Sequence, residues 1–458
     1  MIIKKFSKFI VDLKYDEIDN EAIEKCKLCF LDFLGVSYRG SSEKSSQIAT
    51  KTIKGLVGTG TPKDNLSTIM ANGYSKPLYA SFLNGIFAHS LDLDDGHNIA
   101  QMHPGSVVFP PAVAISQMMD LNGEKFLESI ICGYEIGIVL GKIANPHHRN
   151  QGFHSTGTIG TIASGATVSK LLNLNLKQTT NVLSLCGTVN SGLLESDHAG
   201  TMGKHLHAGN SAYNGVLCGF LGKNGFTGAE SIIEGDEGFL NGMATKSLEN
   251  LKSINLNSYL RNELGKFHIK DVYLKKYPFC RHLHSSIDSI IAIKGKISNF
   301  NINSIDYVCI ETYKIASKHN IYNPKTLEQL KQSLPFAIAF YLMLNELKLE
   351  DLNKIFVDKQ LYLKIKNLSR KVKIIYSKEL EDLFPNKKAS KVTITLNNTE
   401  KFQYTTYTPI GEKETPLSKE DIINKFKTLN PNFNYKHLKQ INNLETKNIK
   451  DFMKEFGK

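Results

Sequence analysis

"PAVAISQMMDLNGEKFLESIICGYEIGIVLGKIA", residues 111–144, is the stretch that decides the class of fold. Its apolar residues recur at spacings of three and four instead of alternating as they would in a strand, and this spacing predicts helix. Many interior positions are Gly, Ala or Ser, small residues that allow neighbouring helices to approach closely. The stretch therefore predicts closely packed helices inside a helical domain.

The same spacing extends through most of the first 268 residues. It recurs in "EAIEKCKLCFLDFLGV" (21–36) and in "TIGTIASGATVSKLLNLN" (158–175). We find no convincing strand alternation in this part of the sequence. Residues 1–268 are therefore predicted to form an all-helical domain.

The pattern changes after "KKYPFCRHLHSS". Four stretches then alternate and are rich in Val, Ile, Thr and Tyr, which predicts strands at 304–314, 371–377, 391–396 and 401–407. The last two are joined through "NNTE" and predict a hairpin. Residues 327–347 have helical spacing, with Pro335 expected at a break or near a helix start.

The last residues return to helical spacing from "PLSKEDIINKF" onward, where Ser418 and Asp421 have the spacing of a helix cap. The predicted fold class is therefore mainly α with a smaller α+β domain. We expect a large all-helical domain of residues 1–268, completed by the helices of 410–458. Residues 269–409 are expected to form an α+β lid.

Composition excludes several classes of protein. The chain has 458 residues, with 41% hydrophobic and 22% charged residues, as is ordinary for a globular protein. No uncharged apolar run of about 18 residues occurs, so we predict no transmembrane helix, and the N-terminus predicts an amphipathic helix instead of a signal peptide. Seven cysteines form no disulfide framework, and the CxxC of Cys26 and Cys29 fits one helix face. We expect a reducing, cytoplasmic location.

The net charge of +12 predicts attraction of small anions and not nucleic-acid binding. Of the 56 basic residues only five are arginines, and the lysines are dispersed without a basic block. Arg149 and Arg281 lie beside histidine-rich segments. Because arginine can bind a carboxylate with two parallel hydrogen bonds, these two residues are candidates for binding an acidic substrate.

Histidines mark the region where chemistry is expected. Twelve of the fourteen lie between residues 89 and 284. They concentrate in four polar segments, at 91–105, 146–158, 200–215 and 275–288. Any single histidine is more often structural, but four such segments in one region favour a shared pocket.

The motifs leave acid–base chemistry as the leading interpretation. The sequence has no HExxH zinc motif, no GxSxG, no GxGxxG after a strand, no phosphate-binding loop and no three-cysteine iron–sulfur spacing. We therefore expect no cofactor and no metal. A metal-dependent lyase and a non-catalytic binder of small anions remain the alternatives.

Acid–base chemistry on an anionic substrate requires a proton donor, a proton acceptor and cations. His103, His154 and His284 can supply the first two functions. Lys204 can hold a carboxylate or have a depressed pKa through desolvation, and Arg281 can bind a second carboxylate.

At these residues the sequence resembles the MmgE/PrpD family. The resemblance rests on stretches that occur in the order of the family and cover nearly the whole chain, including "FLNGIFAHSLDLDDGH", "HPGSVVFPPAVA", "GFHSTGTIGTIASGA", "GTMGKHLHAGNSAYNG" and "KKYPFCRHLHSSID". The family includes 2-methylcitrate dehydratase, cis-aconitate decarboxylase and iminodisuccinate epimerase. The resemblance implies a helical domain with a smaller α+β lid, and a cytoplasmic homodimer.

The resemblance also implies particular site residues. Matched by position to the LDxDD, HPG, GTMxK and post-cysteine motifs, the candidate catalytic residues are Asp92, His103, Lys204 and His284. The candidate substrate-binding residues are Arg281, His154, Gly96 and His207.

The expected reaction is removal of water from a small di- or tricarboxylate of the 2-methylcitrate kind by a cofactor-independent hydro-lyase. Decarboxylation of the cis-aconitate kind and epimerisation of the iminodisuccinate kind are the alternatives. Gly96 stands where the decarboxylases carry a threonine, and one extra residue precedes His103. A missing hydroxyl and extra room at Gly96 would favour dehydration over decarboxylation.

Overall fold

The fold was analysed in a computed structural model that describes residues 1–58, 66–247, 255–298, 300–344 and 348–458. About 60% of the described residues are helical, and a small mixed sheet of four strands lies in the C-terminal region. The predicted fold class, mainly α with a smaller α+β part, is confirmed. The chain divides into two compact units: unit 1 comprises residues 1–196, 202–274 and 418–458, and unit 2 comprises residues 197–201 and 275–417.

The described part of the chain before residue 275 contains the α-helices α1 (Ile2–Asp12), α2 (Asn20–Gly40), α3 (Lys44–Val57), α4 (Pro77–Ser90), α5 (Gly105–Met119), α6 (Gly123–Ala144), α7 (His147–Asn150), α8 (Ile159–Leu171), α9 (Leu176–Val189), α10 (Glu195–His198), α11 (Gly203–Lys223), α12 (Phe239–Met243) and α13 (Leu256–Glu263). None of the helices in the described ranges is long and apolar enough to cross a lipid bilayer.

The stretch 111–144 forms two helices. The end of α5 is followed by Asp120 in a left-handed conformation. Asn122 caps the start of α6, and its side chain accepts a hydrogen bond from the Lys125 N–H. Helix α6 is buried along nearly its whole length. A Cβ at Gly133 would lie 2.0 Å from Thr167 Oγ1 of α8, so the small residue is what permits this close crossing.

The prediction that the first 268 residues contain no strand is wrong at one place. Residues Ser67–Ile69 (β1) and Gly73–Ser75 (β2) form a short antiparallel hairpin. Three residues per strand are too few for an alternating pattern to be detected in the sequence.

Unit 2 contains the four-stranded sheet of β3 (Ile305–Thr312), β4 (Val372–Tyr376), β5 (Ser390–Leu396) and β6 (Lys401–Thr406). The strand order is β4-β3-β5-β6, with β3 parallel to β4 and the other pairs antiparallel. All four predicted strands and the β5–β6 hairpin are therefore confirmed. Alternate residues such as Val308 and Ile310 on β3 are buried in the hydrophobic core of this unit.

The helices of unit 2 after residue 275 are α14 (His284–Lys296), α15 (Lys314–Ser317), α16 (Leu327–Lys331), α17 (Leu334–Met343), α18 (Leu349–Lys354), α19 (Lys359–Ser369) and α20 (Lys378–Glu381). Pro335 lies in the first turn of α17, as expected, and the predicted helix of 327–347 is divided there. Part of that prediction, residues 345–347, lies outside the described residues.

The C-terminal residues 418–458 belong to unit 1 and contain α21 (Lys419–Leu429) and α22 (Ile449–Met453). Ser418 caps α21, and Asp421 completes the capping box, as predicted. Lys425 Nζ lies 2.6 Å from the buried carboxylate of Asp32 on α2, which ties this tail to the first helices.

Candidate active site

The loop that follows α4 is buried although it carries three aspartates. Asp92, Asp94 and Asp95 are each only 3–4% exposed. Asp92 adopts a left-handed conformation with φ of 52°, which turns the chain directly after the helix. The loop is then closed by an antiparallel bridge between His97 and Met102. Buried carboxylates require partners, and the partners of these three define the site.

His103 has a fixed tautomer. Its Nδ1 lies 2.6 Å from the Asp95 backbone oxygen, and because a carbonyl oxygen only accepts, Nδ1 must carry the proton. The backbone N–H of His103 donates to Thr156 Oγ1 at 3.1 Å. The imidazole remains partly accessible, with 14% of the side chain exposed. Nε2 is therefore the nitrogen of His103 that can exchange a proton with a substrate.

Asp94 contacts two histidines, and our sequence analysis missed this arrangement. Its Oδ2 lies 2.7 Å from Nδ1 of His89 and 3.6 Å from Nδ1 of His103. His89 is fully buried in the last turn of α4, and its ring centroid is 4.9 Å from that of His103. The only sequence indication was the position of His89 directly before the aspartate cluster, one helical turn ahead of it.

Lys204 and Asp92, which come from two separate motifs, form an ion pair. Lys204 Nζ lies 2.8 Å from Asp92 Oδ1, and the side chains are 13% and 4% exposed. Lys204 is in the first turn of α11. Because the Lys204 ammonium group already contacts the Asp92 carboxylate, this position is suited to binding a carboxylate.

His154 and His207 share a hydrogen bond between their Nδ1 atoms at 3.0 Å. One of these nitrogens must donate and the other accept, so the pair holds a single proton between them. The ring of His154 also stacks on His89, with centroids 5.7 Å apart. Burial lowers the pKa of His154 well below its usual value, and the charges of His89, His207, Lys204 and His103 lower it further. His154 is therefore neutral at physiological pH.

Asp95 is a buried acid whose backbone oxygen contacts His103. Its Oδ1 accepts the Gly105 N–H at 2.9 Å, and its Oδ2 accepts the Tyr134 hydroxyl at 2.6 Å. Burial raises the pKa of Asp95 to about 7; the hydrogen bond from Tyr134 opposes the rise and the charge of Asp94 adds to it. A void of about 10 Å³ adjoins Asp94 and Asp95, about the room that one water molecule needs.

Gly96 does not provide the extra room that was expected. Its N–H and C=O form two hydrogen bonds with the backbone of Tyr273, at 3.1 and 2.9 Å. A Cβ at Gly96 would lie 2.3 Å from the Tyr273 hydroxyl oxygen. The tyrosine therefore occupies the volume that a threonine side chain would need, and Gly96 permits this close approach.

Arg281 and His284 lie in unit 2 and are hydrogen-bonded to each other. His284 is fully buried, and its Nε2 donates to the Phe279 carbonyl at 3.1 Å, so its Nδ1 accepts from Arg281 Nη1 at 2.9 Å. The other N–H groups of Arg281 donate to Glu412 and to the backbone oxygens of residues 409 and 410. All five donors of the guanidinium thus have protein acceptors, and a substrate carboxylate would have to replace one of them.

Within the described ranges, one group of side chains has ligand atoms close enough together to hold a metal ion. It consists of His89, Asp94 and His103, whose ligand atoms lie within 4.8 Å of one another. Two of them, His89 Nδ1 and Asp94 Oδ2, are 2.7 Å apart. This is a hydrogen-bond distance, whereas ligands around a tetrahedral zinc ion with bonds of about 2.0–2.1 Å are separated by roughly 3.3 Å. In this arrangement His89 and Asp94 are therefore hydrogen-bonded to each other and are not spaced as two zinc ligands.

Comparison with known proteins shows to which family this chain belongs. Residues 4–251 match the MmgE/PrpD N-terminal domain, and residues 277–448 match the MmgE/PrpD C-terminal domain. The chain belongs to the MmgE/PrpD family.

Several curated relatives in this family are lyases. A cis-aconitate decarboxylase of Aspergillus terreus is 24% identical over 436 residues, which cover 91% of this chain and 87% of the relative. The cis-aconitate decarboxylase of Homo sapiens is 24% identical over 437 residues, with 93% and 87% coverage. A mitochondrial 2-methylcitrate dehydratase of Yarrowia lipolytica is 29% identical, but over 51% of this chain and 46% of the relative.

Proposed function

We propose that this MmgE/PrpD family member is a cofactor-independent lyase that decarboxylates a small unsaturated tricarboxylate of the cis-aconitate kind. The observation that carries the proposal is the fixed tautomer of His103, in which Nδ1 carries the proton and Nε2 is the nitrogen that can exchange one, beside a second imidazole and a buried carboxylate. Lys204 supplies a cation in the same unit, close enough to His154 to lower its pKa.

In the proposed reaction the bond between the substrate and its departing carboxylate breaks, and carbon dioxide leaves. The electron pair passes to the remaining carbon frame, where a neighbouring carboxylate delocalises it and Lys204 offsets the charge. His103, protonated on both nitrogens, then delivers the Nε2 proton to carbon. The Asp94 carboxylate, 3.6 Å from Nδ1, stabilises the imidazolium before the transfer.

Decarboxylation replaces dehydration as the leading reaction for two reasons. Of the two features of Gly96 that favoured dehydration, the missing hydroxyl and the extra room, the second is absent, because Tyr273 occupies that room. The decarboxylase relatives match along more than nine tenths of this chain, whereas the dehydratase matches along about half. Dehydration of a hydroxy-tricarboxylate remains the second candidate, supported by the higher identity of 29% over that half.

The test is to incubate the purified protein with cis-aconitate and, separately, with 2-methylcitrate, and to follow carbon dioxide release and the products by NMR. Release of carbon dioxide from cis-aconitate supports the proposal. Conversion of 2-methylcitrate without gas release would replace it with the dehydratase. Binding of either acid without turnover would leave a small-anion binder. Each assay is repeated with a chelator, which we expect to change nothing.

The roles of Asp92, His154, His207, His284 and Arg281 in this reaction remain part of the proposal. The contacts of Asp92 and His154 place them beside Lys204 and His89 within unit 1. His284 and Arg281 enter through the family resemblance, and their dense internal contacts favour a role in which His284 positions Arg281. We also propose a cytoplasmic homodimer, on the same resemblance.

A further inference from the structure

Unit 2 contains a thiol–imidazole pair that the proposed reaction does not use. The Sγ of Cys280 lies 3.8 Å from Nε2 of His319. The two residues come from distant parts of the chain, and Cys280 is fixed by its backbone N–H, which donates to the Lys331 carbonyl at 3.0 Å. Cys280 is partly exposed, and it packs against the hydrophobic core of unit 2.

The tautomer of His319 makes it the acceptor in this pair. Its Nδ1 lies 3.0 Å from the Gln332 backbone oxygen, and because that oxygen only accepts, Nδ1 carries the proton. Nε2 therefore presents its lone pair to the Cys280 thiol. A nucleophile, a base and a group that orients the base are the components by which proteins activate cysteine.

Two further side chains hold the base in place. His282 stacks on His319 with ring centroids 5.7 Å apart and an angle of 24° between the planes. Nδ1 of His282 is itself 2.7 Å from the Tyr313 hydroxyl. The imidazole of His319 is thus restrained on its face and on its Nδ1 edge.

The other cysteines provide a comparison within the same molecule. Cys26, Cys29, Cys132, Cys186 and Cys218 are buried, whereas Cys280 and Cys309 are partly exposed. Burial and the nearby Glu311 raise the pKa of Cys309, which disfavours its thiolate. Cys309 therefore has similar access to solvent but no comparable activation.

We propose that Cys280 is a site of covalent modification at which His319 activates the thiol toward small conjugated carbonyl compounds. His319 Nε2 takes the thiol proton, and the thiolate adds to the β-carbon of the reagent. A carbon–sulfur bond forms while the carbon–carbon π bond breaks. The imidazolium returns its proton to the α-carbon, so the step needs no oxidant, reductant or further reactant.

The experiment uses acrylamide as the probe on the full-length protein and measures the rate of adduct formation at each cysteine by mass spectrometry of peptides. In the wild type we expect Cys280 to react about tenfold or more faster than Cys309. In His319→Gln the Cys280 rate should fall about tenfold while the Cys309 rate is unchanged. Tyr313→Phe, which alters the cluster but keeps the base, should change the Cys280 rate less than about twofold.

The five buried cysteines report on folding, since their labelling would reveal an unfolded variant. Equal rates at Cys280 and Cys309 in the wild type would overturn the proposal. So would an unchanged Cys280 rate in a folded His319→Gln variant. Neither result bears on decarboxylation, because the measurement does not depend on turnover.

Discussion

His103 is oriented by the chain segment that also carries its neighbouring acids. The Asp95 carbonyl fixes the proton on Nδ1, and the Asp94 carboxylate lies on the same edge of the ring. Nε2, the atom of His103 that we propose to meet substrate, is thereby separated from the groups that contact Nδ1. A side chain held in this way needs no rearrangement at the moment of proton transfer.

Replacement of His103 or Lys204 should therefore abolish most turnover without unfolding the protein. His103→Asn keeps a donor near the Nδ1 position for the Asp95 carbonyl but has no counterpart of Nε2. We expect turnover to fall about 100-fold or more for His103→Asn and for Lys204→Ala, the usual scale for acid–base groups. His198→Ala, at an exposed histidine, is the control and should retain normal activity. Near-normal turnover in both test variants would mean that the site is misplaced.

Asp95 should make the stability of the protein depend on pH. Its pKa of about 7 in the folded state exceeds the value of about 3.9 expected when unfolded. The folded protein therefore binds the additional proton between these values, and stability is lost as the pH rises through this window, by at most about 4 kcal/mol.

Asp95→Asn removes this titration, so thermal melts should show its Tm rising relative to the wild type between about pH 4 and pH 7. Asp236→Asn, at an exposed acid, should show no such change. Parallel pH profiles for wild type and Asp95→Asn would show that Asp95 stays ionised in the fold.

For individual residues, the sequence predicted the motif residues of the candidate site but not the side chains that contact them. Asp92 and Lys204 were selected from separate motifs, and they form an ion pair. The link between His89 and Asp94 could not be predicted, because it depends on how the chain turns at the left-handed Asp92. A pattern of residue types also does not reveal that every N–H donor of Arg281 already has an acceptor within the protein.

Among the elements, helices α4 and α11 matter most, because α4 carries His89 and α11 carries Lys204 and His207. The two helices cross where glycines face each other's backbone. A Cβ at Gly85 would lie 2.9 Å from the Ala208 oxygen, and one at Gly209 would lie 2.7 Å from the Phe82 oxygen. The site therefore depends on two positions that have no side chain.

Gly85→Ala should push these helices apart. The obstructing atoms belong to the backbone and cannot move without shifting a helix. We therefore expect the free energy of unfolding to fall by about 1–3 kcal/mol, together with reduced turnover. Gly55→Ala on α3 is the matched control, since a Cβ there meets nothing within 4 Å. It should be neutral or stabilising by about 0.5–1 kcal/mol. Chemical denaturation of both variants measures the difference, and equal effects would contradict the close crossing.

Periodicity predicted the elements where they were long. The helices of unit 1 and all four strands of unit 2 follow from residue spacing, since a buried face requires a regular pattern. The break at Asp120 was not predicted, because apolar spacing continues across it. The division at Pro335 was predicted, because proline has no N–H for a continuing helix.

At the scale of the whole molecule, unit 1 leaves an apolar stripe on α11. Leu206 and Leu217 are 51% and 37% exposed, and the half-buried Tyr213 lies between them at helical spacing. We expect this stripe to contact a second copy of the chain. Leu206→Asp with Leu217→Asp should halve the mass measured by light scattering, whereas Leu56→Asp, at the exposed end of α3, should not. An unchanged mass in the double variant would place the contact elsewhere.

The net charge of the molecule should assist substrate capture. A chain of net charge +12 attracts a tricarboxylate from a distance, and salt screens that attraction as the Debye length falls from about 30 Å at 0.01 M to about 8 Å at 0.15 M. We therefore expect kcat/KM for the anionic substrate to fall about three- to tenfold over this range. The value of kcat should stay nearly constant, because bound substrate no longer depends on long-range attraction.

Sodium chloride and choline chloride should act alike at equal ionic strength, since screening does not depend on the identity of the cation. A loss of kcat instead of kcat/KM would indicate that salt acts on the site itself, for example by competing for Lys204.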